Sequence, residues 1–205
     1  YTKKNNPNIK CLGYQHGAVF EHQHAIKQSL GKKYDPDFIL TSGLLSQAIF
    51  KQIQSIKSSI VCLGSPRHNN AGMLVNKAQC CLVVPEAMVD ECLTLFKFSL
   101  TYALQHKEQR FIWRLHPLMS FEKLKKQNSN FKKLPDNICL SEDNLDEDIK
   151  KCDSVLYRGS TAVVNAINAG LKPIYYQQST DELSIDPIYQ QQKGKDIVLN
   201  QQDLR

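Results

Sequence analysis

No apolar run in the chain approaches the roughly 18 residues that a membrane span requires, and no charged-then-apolar leader stands at Tyr1. The protein is therefore expected in the cytoplasm, at most at the inner face of the membrane. Cysteine pairs at CxxC or zinc-ribbon spacing are missing too. The seven cysteines (Cys11, Cys62, Cys80, Cys81, Cys92, Cys139 and Cys152) are odd in number and lie mostly inside apolar runs. That points to reduced, buried thiols rather than a disulfide framework or a zinc site. No DxD-like acidic pair stands at a strand end, so neither a metal nor another cofactor is expected. His22 and His24 form an H-x-H pair without an evident third ligand. Asp181-Glu182 and Asp146-Glu147-Asp148 read as solvated surface, one in a loop and one on a helix face.

The chain is also short of acid: 26 Lys and Arg against 20 Asp and Glu give a formal net charge of +6. The lysines (Lys3, Lys4, Lys32, Lys33, Lys123, Lys125, Lys126, Lys132, Lys133) are scattered and lack the interleaved aromatics of a base-stacking platform. No nucleic-acid partner is expected. The densest group, Lys123 to Lys133, falls on a surface helix and its loop, where it favours anionic lipid headgroups and hence a peripheral membrane contact.

What the chain does have is a regular alternation of apolar strands and helices. Its 205 residues, 41% of them hydrophobic, are enough to bury a sizeable core in one or two domains. Strands are predicted at Ile9 to Tyr14, Asp37 to Thr41 and Ser59 to Leu63, with a helix from Leu44 to Ile56. Gly64-Ser65-Pro66-Arg67-His68-Asn69-Asn70-Ala71-Gly72 is a polar, turn-rich break. The pattern then restarts: strands at Gln79 to Val84, Arg110 to Leu115, Asn137 to Leu140, Ser154 to Tyr157 and Pro173 to Tyr176, separated by helices at Asp90 to His106, Phe121 to Gln127, Leu145 to Cys152 and Thr161 to Ala169. A last strand is predicted at Asp196 to Leu199. The expected fold class is α/β, with two Rossmann-like parallel-sheet halves of which the first is incomplete. Residues 1–66 would be the back part of an N-terminal domain, 67–78 a linker and 79–205 a C-terminal nucleotide-binding domain.

Two strand ends carry the chemistry. Tyr157-Arg158-Gly159-Ser160-Thr161-Ala162 is a hydroxyl-bearing glycine turn between a strand and a helix, a place where backbone N–H groups favour an anion. Arg114-Leu115-His116-Pro117 closes another apolar strand, with Arg114 and His116 on one strand face. The carboxyl ends of parallel strands line the ligand crevice, so Arg114, His116, Arg158, Gly159, Ser160 and Thr161 are expected to meet one phosphate-bearing ligand.

These motifs resemble those of GT-B glycosyltransferases, in which two Rossmann-like halves are joined by a linker. The likeness is to bacterial enzymes of surface and capsular polysaccharide synthesis. Sialyl- and Kdo-transferases carry a His-Pro motif and a Ser-Ser/Thr motif, and teichoic-acid glycerophosphotransferases have a similar pair. His116-Pro117 and Ser160-Thr161 match them, and the resemblance implies that they hold the phosphate of a cytidine nucleotide donor. Gly13-Tyr14-Gln15-His16-Gly17 is similar to the Gln-x-x-His-Gly turn of the glycerophosphotransferases, with a different spacing. The likeness implies His16 as the general base towards an acceptor hydroxyl.

The expected activity is metal-independent transfer of a sugar from a nucleotide donor, CMP-linked, to a glycan or lipid-linked acceptor. Transfer of a glycerol or ribitol phosphate from a CDP-alditol uses the same two motifs. A non-catalytic nucleotide-sugar-binding domain is the reading from a different class. Glu86, beyond the strand ending at Val84, is placed to hydrogen-bond a ribose or base, and Glu142 to meet the base edge. Ser65 and Arg67, in the linker, are candidate contacts to donor phosphate. Tyr157 and Tyr176 read as sheet-end packing.

Overall fold

A computed structural model of the chain describes residue 6 and residues 8–65, 79–191 and 193–204. The predicted linker, 67–78, lies outside them. Two compact units are present, Tyr1–Asn69 with Pro187–Gln190, and Asn70–Asp186 with Gln191–Arg205.

The first unit is built on three parallel strands, β1 (Leu12–Gln15), β2 (Phe38–Thr41) and β3 (Ser59–Cys62), in that spatial order. Helix α1 (Leu44–Gln52) crosses from β2 to β3. Its buried Ile49 and Phe50 pack with Val19, Ile39, Ile60 and Tyr189. The first strand is shorter than predicted because the Asp37 carboxylate takes the Cys11 N–H at 2.7 Å. Sheet pairing therefore begins at Leu12.

Among the described residues the second unit holds six parallel strands: β4 (Cys80–Val84), β5 (Arg110–Trp113), β6 (Ile138–Leu140), β7 (Ser154–Tyr157), β8 (Lys172–Tyr176) and β9 (Asp196–Val198). Every residue of the central β4 is buried, as expected of a parallel strand covered on both faces. Helix α2 (Val89–Gln105) turns Cys92, Leu95, Phe96, Ser99, Leu100 and Ala103 inward at i, i+3, i+4 spacing. Trp113 stacks on Phe96 at 4.2 Å between ring centroids. Its indole N–H donates to the buried Ser99 hydroxyl at 2.9 Å, and that hydroxyl donates on to the Leu95 carbonyl at 3.1 Å. The one polar atom of the largest core side chain is thereby satisfied.

Three shorter helices follow: α3 (Phe121–Gln127), α4 (Leu145–Lys150) and α5 (Ala162–Asn168). Helix α5 ends in a glycine cap. Gly170, at φ 96°, donates its N–H to Ile167, and Leu171 donates to Ala166. These paired bonds satisfy the last carbonyls of the helix, and they need a residue that tolerates positive φ. All seven cysteines are free thiols. Cys80, Cys81, Cys92 and Cys152 are buried, but Cys139 is exposed, contrary to the expectation of a buried thiol, because it alternates outward on the edge strand β6.

Candidate functional site

The six strands run β6-β5-β4-β7-β8-β9. The chain winds outward from β4 through β5 to β6, then returns to pair β7 with the other side of β4. The connections thus diverge between β4 and β7, and at such a divergence an open α/β sheet leaves a crevice beyond its carboxyl edge. Val84 pairs with Tyr157 at that edge. Two residues further along each strand lie Glu86 and Gly159.

The two are pressed together. A Cβ built on Gly159 would stand 1.9 Å from Glu86 Oε1, so no larger residue fits while the carboxylate keeps this position. Oε1 is buried and, among the described residues, has no hydrogen-bond partner. Burial, joined by the nearby Glu91 carboxylate, pushes the Glu86 carboxyl above the usual carboxylate range, against the opposing pull of Arg158 and the Gly159 N–H. The fold therefore favours the protonated carboxyl more than the unfolded chain does. Its contribution to stability is fully present below the ordinary carboxylate pKa of about 4.3 and is lost as pH rises through the raised value. Glu86→Gln is expected to unfold at a higher temperature than the wild type at pH 8, the gap closing toward pH 4. Thermal melts across that range check this.

Arg158 turns inward rather than into the crevice. Its side chain is 3% exposed, and its Nε donates to Glu91 Oε2 at 2.6 Å. Nη1 donates to the Tyr176 carbonyl at 3.1 Å and to Glu182 Oε2 at 3.2 Å, and Nη2 pairs with the other Glu182 oxygen. Burial works against its charge, but the two carboxylates outweigh it and raise the pKa. With its charge matched by Glu91 and Glu182, Arg158 offers a ligand its backbone, and its guanidinium fixes the turn. This corrects the reading of Asp181-Glu182 as solvated surface in respect of Glu182.

A second buried pair secures the same region. Asp186 and Lys195 meet at 2.6 Å with side chains 3% and 2% exposed, and Tyr157, itself fully buried, donates its hydroxyl to Asp186 at 3.1 Å. Tyr157 thus packs at the sheet end and anchors the segment that follows β8.

Ser160 and Thr161 lead directly into α5, where Thr161 forms no side-chain cap, and Thr161 is exposed. At the end of β5, Arg114 Nη1 contacts Asp148 Oδ2 at 2.7 Å, the Asp143 carbonyl at 2.6 Å and Ser141 Oγ at 3.4 Å. Asp148 is 1% exposed, which corrects its assignment to the solvated face of α4. The pair ties α4 to the end of β5. His116 is exposed, and its Nδ1 accepts the Leu118 N–H at 3.2 Å, so the neutral ring carries its proton on Nε2, ready to donate. Glu142 is exposed in the turn beyond β6.

The first unit carries the remaining candidates. His16 follows β1 and is exposed, with its ring centroid 6.4 Å from that of Tyr14. Tyr14 donates its hydroxyl to the Gly64 carbonyl at 3.0 Å, which fastens the turn before the half-buried Ser65. Arg67 lies outside the described residues. The His22 and His24 rings stand 6.2 Å apart, and among the described residues no three His, Cys, Asp or Glu side chains cluster as a metal site. No described helix is long and apolar enough to cross a membrane.

No family model matches the chain, and no curated protein does either. Solved structures do match in fold. The pneumococcal O-GlcNAc transferase GtfA, in complex with UDP and GlcNAc, superposes with a TM-score of 0.53 over 82% of this chain at 15% identity. TarM gives 0.58 over 96% at 11%, and CalG4, the calicheamicin glycosyltransferase, 0.55 over 84% at 12%. This chain covers 37%, 41% and 43% of those three chains, so it spans less than half their length. The fold is GT-B-like, with two parallel-sheet α/β units.

Proposed function

We propose that this chain belongs to a nucleotide-sugar-dependent glycosyltransferase and that its second unit binds the donor. The observation that carries the reading is the crevice edge between β4 and β7, where Glu86 lies against Gly159 with an unpartnered buried oxygen beside the Ser160-Thr161 turn. A ribose or base hydrogen-bonding to Glu86 would satisfy that oxygen. The hydroxyls and backbone of Ser160 and Thr161, with His116 Nε2, would meet the phosphate, and Glu142 the base edge. The fold likeness to two proteins named as transferases, one of them bound to UDP and GlcNAc, supports the class.

In the same reading the donor is a cytidine nucleotide, the mechanism needs no metal and the acceptor is a glycan or lipid-linked hydroxyl. His16 removes the acceptor proton as the hydroxyl attacks. Leaving-phosphate charge is met by preorganised donors rather than by Arg158, whose charge is already balanced. Residues 1–66 are the acceptor-side unit.

The full chain tests this directly. His16→Ala is expected to lower turnover by about 10²-fold or more, the scale of a general base, while nucleotide affinity stays within twofold. Equal loss of turnover and affinity, or loss of neither, would remove His16 from the mechanism.

A further inference from the structure

A cavity of about 250 Å³ lies in the first unit between β1, β2 and the segment 25–36. Its lining includes Ile26, Ile39, Phe50 and Ile56. The polar groups on its wall are largely engaged within the protein. Gln15 Nε2 donates to the Gly17 carbonyl at 3.3 Å, Ser58 Oγ to the Pro36 carbonyl at 2.6 Å and Tyr14 to Gly64 at 3.0 Å. Asp35 accepts the Ser29 hydroxyl and, at 2.8 Å, the Leu30 N–H. Ile26, Ile39, Phe50 and Ile56 leave hydrocarbon surface open to a ligand.

Two cations neighbour the lining residues in sequence. Leu30 and Tyr34 both line the cavity while remaining 74% and 73% exposed. Between them in sequence stand Lys32 and Lys33, both exposed. Two cations flanked by two exposed apolar side chains match a ligand with an apolar body and an anionic end.

We propose that this cavity binds the hydrocarbon chain of an anionic amphiphile, with Lys32 and Lys33 meeting its head group. The site is separate from the donor residues and does not depend on the chain being a transferase. Hexyl, octyl and decyl phosphate, each kept below its micelle concentration, are the probes for calorimetric titration. Affinity is expected to rise by up to about fourfold per methylene until the cavity is filled. Ala25→Phe, a substitution at the exposed rim, should weaken decyl phosphate at least tenfold. Gln28→Phe is the second filling variant should the first unfold. Lys32→Ala with Lys33→Ala should weaken decyl phosphate severalfold and leave neutral octyl glucoside unchanged.

Phosphatidylglycerol vesicles separate the sources. If they compete with decyl phosphate the physiological chain is a membrane lipid, and if they do not it is a dissolved amphiphile. The proposal is overturned if decyl phosphate shows no saturable binding, or if both folded filling variants bind it within twofold of the wild type.

Discussion

Gly159→Ala is expected to weaken nucleotide binding by about tenfold to a hundredfold, equivalent to roughly 1.4–2.8 kcal/mol, while the protein stays folded. The added Cβ would fall 1.9 Å from Glu86 Oε1. That atom is the far end of a flexible side chain on a half-buried residue, so the carboxylate can swing away at little cost to stability. It would then leave the position from which it serves a ribose or base. The methyl group would also hold a phosphate off the turn, where only glycine allows close backbone approach. Calorimetry gives the affinity and thermal unfolding the stability. A folded variant with unchanged affinity would show that no ligand approaches this turn, whereas an unfolded one would assign Gly159 to packing alone.

Arg158→Ala is expected to cost about 3 kcal/mol of folding stability, toward the lower end of the range for breaking a buried ion pair. The guanidinium is 3% exposed, and its removal leaves Glu91 and Glu182 facing each other without a cation. Those carboxylates keep 19% and 21% of their side-chain surface exposed, so solvent takes up part of the loss. Adding Glu182→Gln should recover some of it. Denaturant unfolding with an unchanged m-value gives the number, and a loss below about 1 kcal/mol would mean that the triad does not hold the turn.

The pairing also has a pH signature. Although burial alone would raise it, the Arg158 hydrogen bond holds the Glu182 carboxyl below its usual value. The stabilisation is therefore present above the ordinary carboxylate range and is lost as pH falls through the lowered value. In an acid titration of stability, Glu182→Gln should flatten that limb, and an unaltered limb would contradict the pairing.

The alternation of elements was legible because each strand is a compact apolar run bounded by polar turns, as at Cys80–Val84 and Ser154–Tyr157. Periodicity could not say that β7 returns beside β4, since strand order depends on long-range packing. That order is what brings Glu86 against Gly159. Acidic residues were the weakest part of the reading. Glu182 stands in a polar loop and Asp148 in an acidic triplet, both patterns of a solvated surface, yet each meets an arginine 24 or 34 positions away. A signal was available: Arg158 directly follows three buried strand residues, Val155, Leu156 and Tyr157, and an arginine so placed needs carboxylate partners. The same applies to Arg114, expected to meet a phosphate-bearing ligand, whose Nη1 contacts Asp148.

The most direct test of the donor site is calorimetric titration of the full chain with CMP, CDP, UDP and GDP, repeated on Ser160→Ala and His116→Ala. Saturable binding that favours the cytidine nucleotides and is weakened by both substitutions is expected. Failure of all four nucleotides to bind, or binding that neither substitution alters, would contradict it.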